Sequence, residues 1–95
     1  MNNDQYYVYI MSNKRNTAIY TGVTKNLKRR ASEHRNSYKG FTKMYNVNKL
    51  VYYEIIDSID RAVLREKQIK AGSRRKKLEL INKINREWRD LYEEL

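Results

Sequence analysis

The apolar residues of the amino-terminal half occur in short runs of the kind that form β-strands. Residues 6–11 (YYVYIM) are aromatic and β-branched, which favours a first strand. The polar residues 12–17 then predict a turn, and residues 18–21 predict a second strand that ends at Gly22. We expect these two runs to form a hairpin. Residues 50–56 are the most hydrophobic run of the chain and predict a third strand.

Three helices are predicted where a capping residue precedes a stretch without strand character. Asn26, Ser58 and Ser73 can each accept a hydrogen bond from the first turn of a helix. Gly72 is placed to end the second helix. The expected helices run from Leu27 to about Asn36, from Ser58 through Ala71, and from Arg74 to about Ile84. Residues 36–48 resemble a loop, and residues 85–95 a closing segment anchored by Trp88.

The predicted order of elements is strand, strand, helix, strand, helix, helix. This order indicates an α+β fold, with a small three-stranded, mainly antiparallel sheet flanked by helices. The 95 residues fit one domain, residues 1–95, with a small core. The chain has no proline and only three glycines, and we find no repeat and no interdomain linker.

Charge adds a functional indication to this pattern. The formal net charge is +10, from 21 Lys and Arg against 11 Asp and Glu. Ten basic residues and a single acidic one lie within residues 13–49, and seven basic residues and one acidic residue lie within residues 65–77. A sign-segregated surface favours a face that binds polyanions, above all nucleic acid, over an ordinary solvated surface.

Several classes of protein are disfavoured by what the sequence lacks. There is no cysteine, which excludes disulfides and thiolate metal sites. No stretch approaches the ~20 apolar residues that cross a bilayer, and the amino terminus has no secretory leader. We therefore expect a cytoplasmic protein that does not associate with membranes, and a protein partner is possible but not indicated.

Helical phase separates the charged residues of the first predicted helix. At ~100° per residue, Leu27, Ala31 and His34 share one side, and Arg30 lies beside His34 one turn earlier. Arg30 is thus the cation directed toward the sheet. The alternatives are a structural ion pair for Arg30 and, for His34, a hydrogen-bonded core histidine, which spacing alone favours.

Glu66 raises a sharper question in the second predicted helix. It lies between Val63 and Ile69 on an apolar face that also includes Ile59 and Ala62. A carboxylate is costly to bury unless it is paired or bound to a cation. Either Glu66 pairs with a buried Arg or Lys, or it is a metal ligand at the rim of a cleft.

The tyrosines divide by strand alternation. Tyr7 and Tyr9 share one face of the first strand, while Tyr6, Val8 and Ile10 share the other. Most of the nine tyrosines are expected to be core or sheet surface. Gly22 either makes a turn or lets the backbone approach a ligand.

An ordered set of short motifs resembles the GIY-YIG nuclease domain, in particular its small single-domain bacterial type. Each motif lies in the expected order and structural context. The motifs are Tyr7-Val8-Tyr9, Tyr20-Thr21-Gly22, the run from Val23 to Arg30 with His34 one turn later, Arg65 to Lys70 with Glu66, and Asn85 to Leu91. Tyr7, Val8 and Thr21 depart from the residues Gly, Ile and Ile that name the family, as in the small subgroup. Arg86 replaces a usual proline.

The resemblance implies a metal-dependent endonuclease that hydrolyses DNA, with a role in repair or recombination. Glu66 would bind one divalent cation, Mg²⁺ or Mn²⁺, and Arg30 would bind the scissile phosphate. Tyr9 would be the general base or would position the water, assisted by Tyr20 and His34. The alternative is a nucleic-acid-binding module of the same fold with weak or no hydrolysis.

Further residues are expected to support these roles. The candidate nucleic-acid contacts are Gly22, Lys25, Lys28, Arg29, Arg35, Lys67, Lys70, Arg74 and Arg75. The residues that support the motifs are Tyr7, Val8, Thr21 and Asn85. Lys76 and Lys77 also resemble exposed phosphate contacts, with ordinary solvated surface as the alternative.

Overall fold

The predicted order of elements is confirmed. A computed structural model describes residues 4–36 and 46–95, so most of the predicted loop over residues 36–48 lies outside the described residues. The strands are β1 (Tyr6–Ser12), β2 (Ile19–Thr24) and β3 (Lys49–Ile56). The helices are α1 (Leu27–Arg35), α2 (Ile59–Ala71), α3 (Arg74–Ile84) and a carboxy-terminal 3₁₀ helix (Leu91–Glu94).

The three strands form an antiparallel sheet in the order β2-β1-β3. β1 is central, and its Tyr9 lies opposite Gly22 on one side and Tyr53 on the other. The prediction that the second strand ends at Gly22 was wrong, because pairing continues to Thr24, which lies opposite Tyr7. Gly22 is therefore inside a strand and not at a strand-to-helix junction.

All three predicted caps are present. The Asn26 side chain accepts a hydrogen bond from the Arg29 backbone, and Ser58 and Ser73 accept equivalent bonds in the first turns of α2 and α3. α2 ends at Gly72, as predicted, although with a φ of −73° and not in the left-handed conformation. Among the described residues, no helix has the length and apolar character needed to cross a membrane.

Each face of the sheet is covered by different elements. Val8, Ile10 and Tyr52 face α2 and α3, which contribute Ala62, Ile69 and Ile81 to this core. Tyr9, Met11 and Leu50 face the other side, where Leu27 and Ala31 of α1 and Leu91 of the 3₁₀ helix pack. The helix with Glu66 and the helix with Arg30 thus lie on opposite faces of one thin sheet.

A β-bulge in β3 allows one strand to serve both cores. Ile10 pairs with Tyr52 and Met11 pairs with Leu50, so Val51 is an additional residue between two register positions. In a regular strand, Leu50 and Tyr52 would share a face. The bulge instead sends Leu50 to the α1 side and Tyr52 to the α2 side.

The closing segment is anchored mainly by Asn85, which is 3% exposed. Its amide nitrogen donates to the carbonyls of Val51 (3.0 Å) and Arg89 (2.8 Å), and its oxygen accepts from the Arg89 backbone. Trp88, the predicted anchor, is only partly buried, and its indole nitrogen donates to Asn82. The motif residue Asn85 therefore ties the end of the chain to β3.

Candidate active site

Tyr9 and His34 form a buried polar pair beneath α1. Their side chains are 1% and 7% exposed, and the phenol oxygen lies 2.9 Å from Nε2 of the imidazole. Tyr9 reaches this position from the centre of the sheet, and His34 from the buried face of α1, in line with Leu27 and Ala31. Each group gives the other the hydrogen-bond partner that burial requires.

Both members of the pair are electrically neutral near pH 7. Burial raises the pKa of Tyr9 to about 12, even though the neighbouring Arg30 acts to lower it. Burial also lowers the pKa of His34 to about 4, and the positive charge of Arg30 acts in the same direction. The surroundings therefore hold a protonated phenol against an uncharged imidazole.

Gly22 leaves the space that the Tyr9 phenol occupies. A Cβ atom on Gly22 would lie 2.5 Å from the phenol oxygen and 2.6 Å from the ring carbon that bears it. No ordinary nonbonded contact is this short, so any larger residue would force Tyr9 or β2 to move. The need for glycine here comes from close approach inside the sheet.

Tyr20 and Arg30 complete a cluster around this pair. Tyr20 pairs with Met11 in the sheet and lies on the Tyr9 side, with its ring centroid 4.9 Å from that of His34. The Arg30 guanidinium interacts with the phenols of Tyr9 and Tyr20, which raises the pKa of Arg30 above its usual value. Arg30 also donates to Glu33 at 3.2 Å, and its side chain is 45% exposed.

Glu66 approaches the cluster from the other face of the sheet. Its side chain is 16% exposed, and its carboxylate lies 3.1 Å from the ammonium of Lys70, one turn later in α2. The same ammonium lies 5.9 Å from the centroid of the Tyr20 ring. Lys70 thus connects Glu66 to the cluster. The partner of Glu66 is a half-exposed lysine and not a buried cation.

The candidate contacts around the start of α1 line a shared depression. Lys25, Lys28 and Arg29 border a surface hollow of about 600 Å³, together with Tyr7 and Leu95. Lys25 lies 3.3 Å from Asp4, and Arg29 lies 3.8 Å from Glu33. These exposed pairs are screened by solvent and leave the cations accessible.

Other candidate contacts have partners inside the protein. Arg35 pairs with Asp90 at 2.8 Å and stacks on Tyr92, with its guanidinium carbon 4.4 Å from the ring centroid. Arg74 donates to the Thr17 carbonyl, and Arg75 pairs with Glu79. Lys67 is exposed on α2.

The motif-supporting residues are structural. Val8 is fully buried, Thr21 is 6% exposed, and Tyr7 packs edge-on against Tyr53, with ring centroids 6.3 Å apart. Thr21 lies opposite Ile10 in the sheet, on the side away from Tyr9. They hold β1 and β2 in the register that brings Tyr9 opposite Gly22.

This arrangement can be compared with that of known proteins. Residues 5–79 match the GIY-YIG catalytic domain. The chain belongs to the GIY-YIG family. The match begins just before β1 and ends within α3, so it includes Tyr9, Tyr20, Arg30, His34 and Glu66.

Relatives of similar length place this GIY-YIG domain among small proteins. The UPF0213 protein SSP2268 of Staphylococcus saprophyticus is 39% identical over 80 residues, which cover 83% of this chain and 96% of that protein. A UPF0213 protein of Syntrophus aciditrophicus is 43% identical over 77 residues, 79% of this chain and 87% of that protein. The solution structure of the UPF0213 protein BH0048 from Bacillus halodurans has a TM-score of 0.58 and 29% identity, covering 90% of this chain and 92% of that one.

One charged network of this GIY-YIG domain was not predicted. Arg65 donates to both oxygens of Glu54, at 2.9 and 2.8 Å, and the Tyr52 phenol donates to the same carboxylate. Burial would raise the pKa of Glu54, but these bonds and the Arg65 charge outweigh it and lower that pKa. The pair fixes α2 to β3, next in sequence to Glu66. In the sequence, the position of Arg65 next to Glu66 is the only signal that could have indicated this ion pair.

We expect Gly22→Ala to disrupt the Tyr9 and His34 pair, because the new methyl group overlaps a buried phenol. Overpacking of this kind destabilises by about 1–3 kcal/mol. Urea unfolding measures the loss, and the NMR signals of the imidazole report the local change without ambiguity, since His34 is the only histidine.

Gly72→Ala is the matched control for this substitution. At Gly72 the nearest atom to an added Cβ is 3.4 Å away, and the φ of −73° suits any residue. We expect a neutral effect or a stabilisation of about 0.4–1 kcal/mol. Equal behaviour of the two alanine variants would contradict the close approach at Gly22.

We also expect His34 to make the fold sensitive to acid. Its folded pKa of about 4 is below the unfolded value of 6.5, so the unfolded chain binds the proton more readily. The stabilisation of the fold by uncharged His34 is complete above pH 6.5. As the pH falls toward 4, the free energy of unfolding decreases by about 2–3 kcal/mol.

Unfolding of the wild type and of His34→Gln at pH 7.5 and pH 4.5 isolates this contribution. Other groups, such as Glu54, also lose stabilising interactions in acid, but they are common to both proteins. We expect the smaller pH dependence in His34→Gln. An NMR titration of His34 with a midpoint near 6.5 would refute the expectation.

Proposed function

We propose that this protein is a metal-dependent endonuclease that hydrolyses phosphodiester bonds of DNA. The observation that carries the proposal is the convergence of Tyr9, Tyr20, Arg30 and His34 on one side of β1 and β2, with Glu66 adjacent through Lys70. Membership of the GIY-YIG family supports a nuclease. The proposed setting is the cytoplasm, in DNA repair or recombination.

In this proposal, Arg30 binds the scissile phosphate. It is the cation of the cluster and is half exposed, so one edge of the guanidinium can face solvent while the phenols contact the other. A planar guanidinium can bind two phosphate oxygens at once and stabilise the charge that develops in the transition state. The ion pair with Glu33 orients Arg30, and a phosphate can replace Glu33 as its partner.

Tyr9 is the proposed water-activating residue. With a pKa of about 12, the phenol is protonated in almost all molecules at pH 7, roughly one in 10⁵ being ionised. The ionised form can remove a proton from the attacking water, and Arg30 favours it by lowering the pKa. The hydrogen bond to His34 fixes the direction of the phenol, and Tyr20 lies beside Tyr9 with ring centroids 6.4 Å apart.

Glu66 is the proposed ligand of one Mg²⁺ or Mn²⁺ ion. In residues 4–36 and 46–95, no group of three or more His, Asp or Glu side chains is placed to bind a metal. A hard cation can nevertheless bind one carboxylate and take its remaining ligands from water and phosphate. When bound, the ion would neutralise charge on the phosphate and the leaving oxygen. Its carboxylate ligand would have to exchange Lys70 for the ion.

The second candidate is a nucleic-acid-binding module with weak or no hydrolysis. The raised pKa of Tyr9 favours it, because a phenol that stays protonated is a poor base. The +10 charge and the basic depression beside α1 suit both candidates. Steeply salt-dependent binding without cleavage of any substrate would establish the module in place of the enzyme.

Cleavage assays test the proposal directly. Purified protein is incubated with branched, flapped, single-stranded and duplex DNA, with Mg²⁺, Mn²⁺ or EDTA. We expect metal-dependent cutting of at least one substrate, and a loss of at least about 100-fold in Glu66→Gln, because the cation loses its only protein carboxylate. RNA of the same sequences tests the choice of DNA.

Glu79→Gln is the matched control. Glu79 is an exposed glutamate of α3 that pairs with Arg75, so its substitution should change the rate by less than about twofold. If Glu66→Gln cuts as fast as Glu79→Gln, the proposed role of Glu66 is wrong. If no substrate is cut under any condition, the endonuclease proposal fails.

The pH profile of cleavage tests whether Tyr9 is the general base. If the phenol is the base, the rate rises up to about tenfold per unit between pH 6.5 and 9, because the ionised fraction rises by that factor. Tyr9→Phe should remove this slope. A rate that is instead flat over this range and falls as the pH approaches 4, with that fall lost in His34→Gln, would identify the imidazole as the base.

A further inference from the structure

A second recess lies on the opposite side of the sheet from Tyr9 and His34. It is a groove of about 390 Å³ between α2 and α3, bordered by Gly72 and by the positively charged Lys76, Lys77 and Lys83. Ile69 and Leu80 also line it, and both belong to the core on the α2 and α3 face. Glu66 lies on the same helix α2, but none of the proposed catalytic residues lines the groove, which is therefore distinct from that cluster.

The charge of this groove is unbalanced. Lys76, Lys77 and Lys83 form no ion pair with any carboxylate in the described part of the chain. The one acidic residue that lines the groove, Glu79, is paired with Arg75 on the surface of α3. A ligand with carboxylates would supply the missing countercharge.

Aliphatic surface continues along the helices beside the groove. Leu64 lies one turn before Gln68, a lining residue of α2, and Ile84 lies one turn after Leu80. These two side chains are 56% and 60% exposed. They add apolar surface within one turn of the groove, which a partner protein could cover.

The lining also argues against a single-stranded nucleic acid. No aromatic side chain within residues 4–36 and 46–95 borders the groove, whereas sites for single strands depend on bases stacking on aromatic rings. A cavity with aliphatic walls suits a branched apolar side chain better than a base. The combination of lysines and aliphatic walls therefore matches an acidic, amphipathic peptide.

We propose that the groove between α2 and α3 docks an acidic peptide segment of a partner protein. Carboxylates of the segment pair with Lys76, Lys77 and Lys83, and a Leu or Ile side chain enters between Ile69 and Leu80. The missing side chain at Gly72 keeps the end of the groove open. Such a partner can direct the domain to its substrate without covering the catalytic face.

Selection from a displayed library of random 12-residue peptides tests this proposal. The library is selected on the wild-type protein after depletion on Gly72→Leu, which places a side chain in the groove without backbone strain, because φ is −73° and an added Cβ meets nothing closer than 3.4 Å. We expect enrichment of peptides that combine Asp or Glu with Leu or Ile. No enrichment, or enrichment of basic peptides, overturns the proposal.

Fluorescence anisotropy with a labelled, enriched peptide completes the test. We expect its affinity to fall at least tenfold in both Gly72→Leu and Lys83→Glu, and by less than twofold in Lys28→Glu, which makes the same charge change beside α1. Lys83→Glu keeps the test valid if Gly72→Leu does not fold. Equal losses of peptide affinity in Lys83→Glu and Lys28→Glu would refute the proposal. Displacement of the peptide from the wild-type protein by single-stranded DNA would also refute it.

Discussion

The contact that joins Tyr9, His34 and Gly22 is the constraint on which the candidate site depends. A phenol in the centre of the sheet needs a polar partner, and α1 supplies one through His34. The phenol also needs space in β2, which Gly22 provides. These contacts fix the rotation of α1 about its axis, and Arg30, one turn before His34, then has to face Tyr9 and Tyr20.

This dependence gives His34 a structural role that is compatible with its proposed role beside Tyr9. His34 is a core residue with its hydrogen bond satisfied, and the same bond holds the phenol that faces Arg30. Burial also keeps both groups uncharged, which leaves the guanidinium as the positive charge of this cluster. A cluster with one positive charge among uncharged side chains attracts an anion to one defined position.

The order of elements could be read from the sequence because local signals determine it. Asn26, Ser58 and Ser73 cap the helices. Helical phase was sufficient to predict that Arg30 and His34 face the sheet. The bulge at Val51 could not be predicted, since it results from pairing with β1 and leaves no local signature. The bond of Arg65 to Glu54 likewise joins residues that meet only after α2 packs on β3.

The bulge at Val51 has a consequence for how sequence length can vary in this fold. Leu50, before the bulge, belongs to the core beneath α1, whereas Tyr52 and Glu54, after it, contact the α2 side, so the bulge sets which residues of β3 support each half of the site. Removal of Val51 itself would keep Leu50 opposite Met11 and Tyr52 opposite Ile10, but it would lose a fully buried side chain. An insertion, or a deletion elsewhere in β3, would shift the residues on one side of it by one position and send them to the wrong core. Changes of length should be excluded from β3, while the exposed turn at residues 14–17 can accept them.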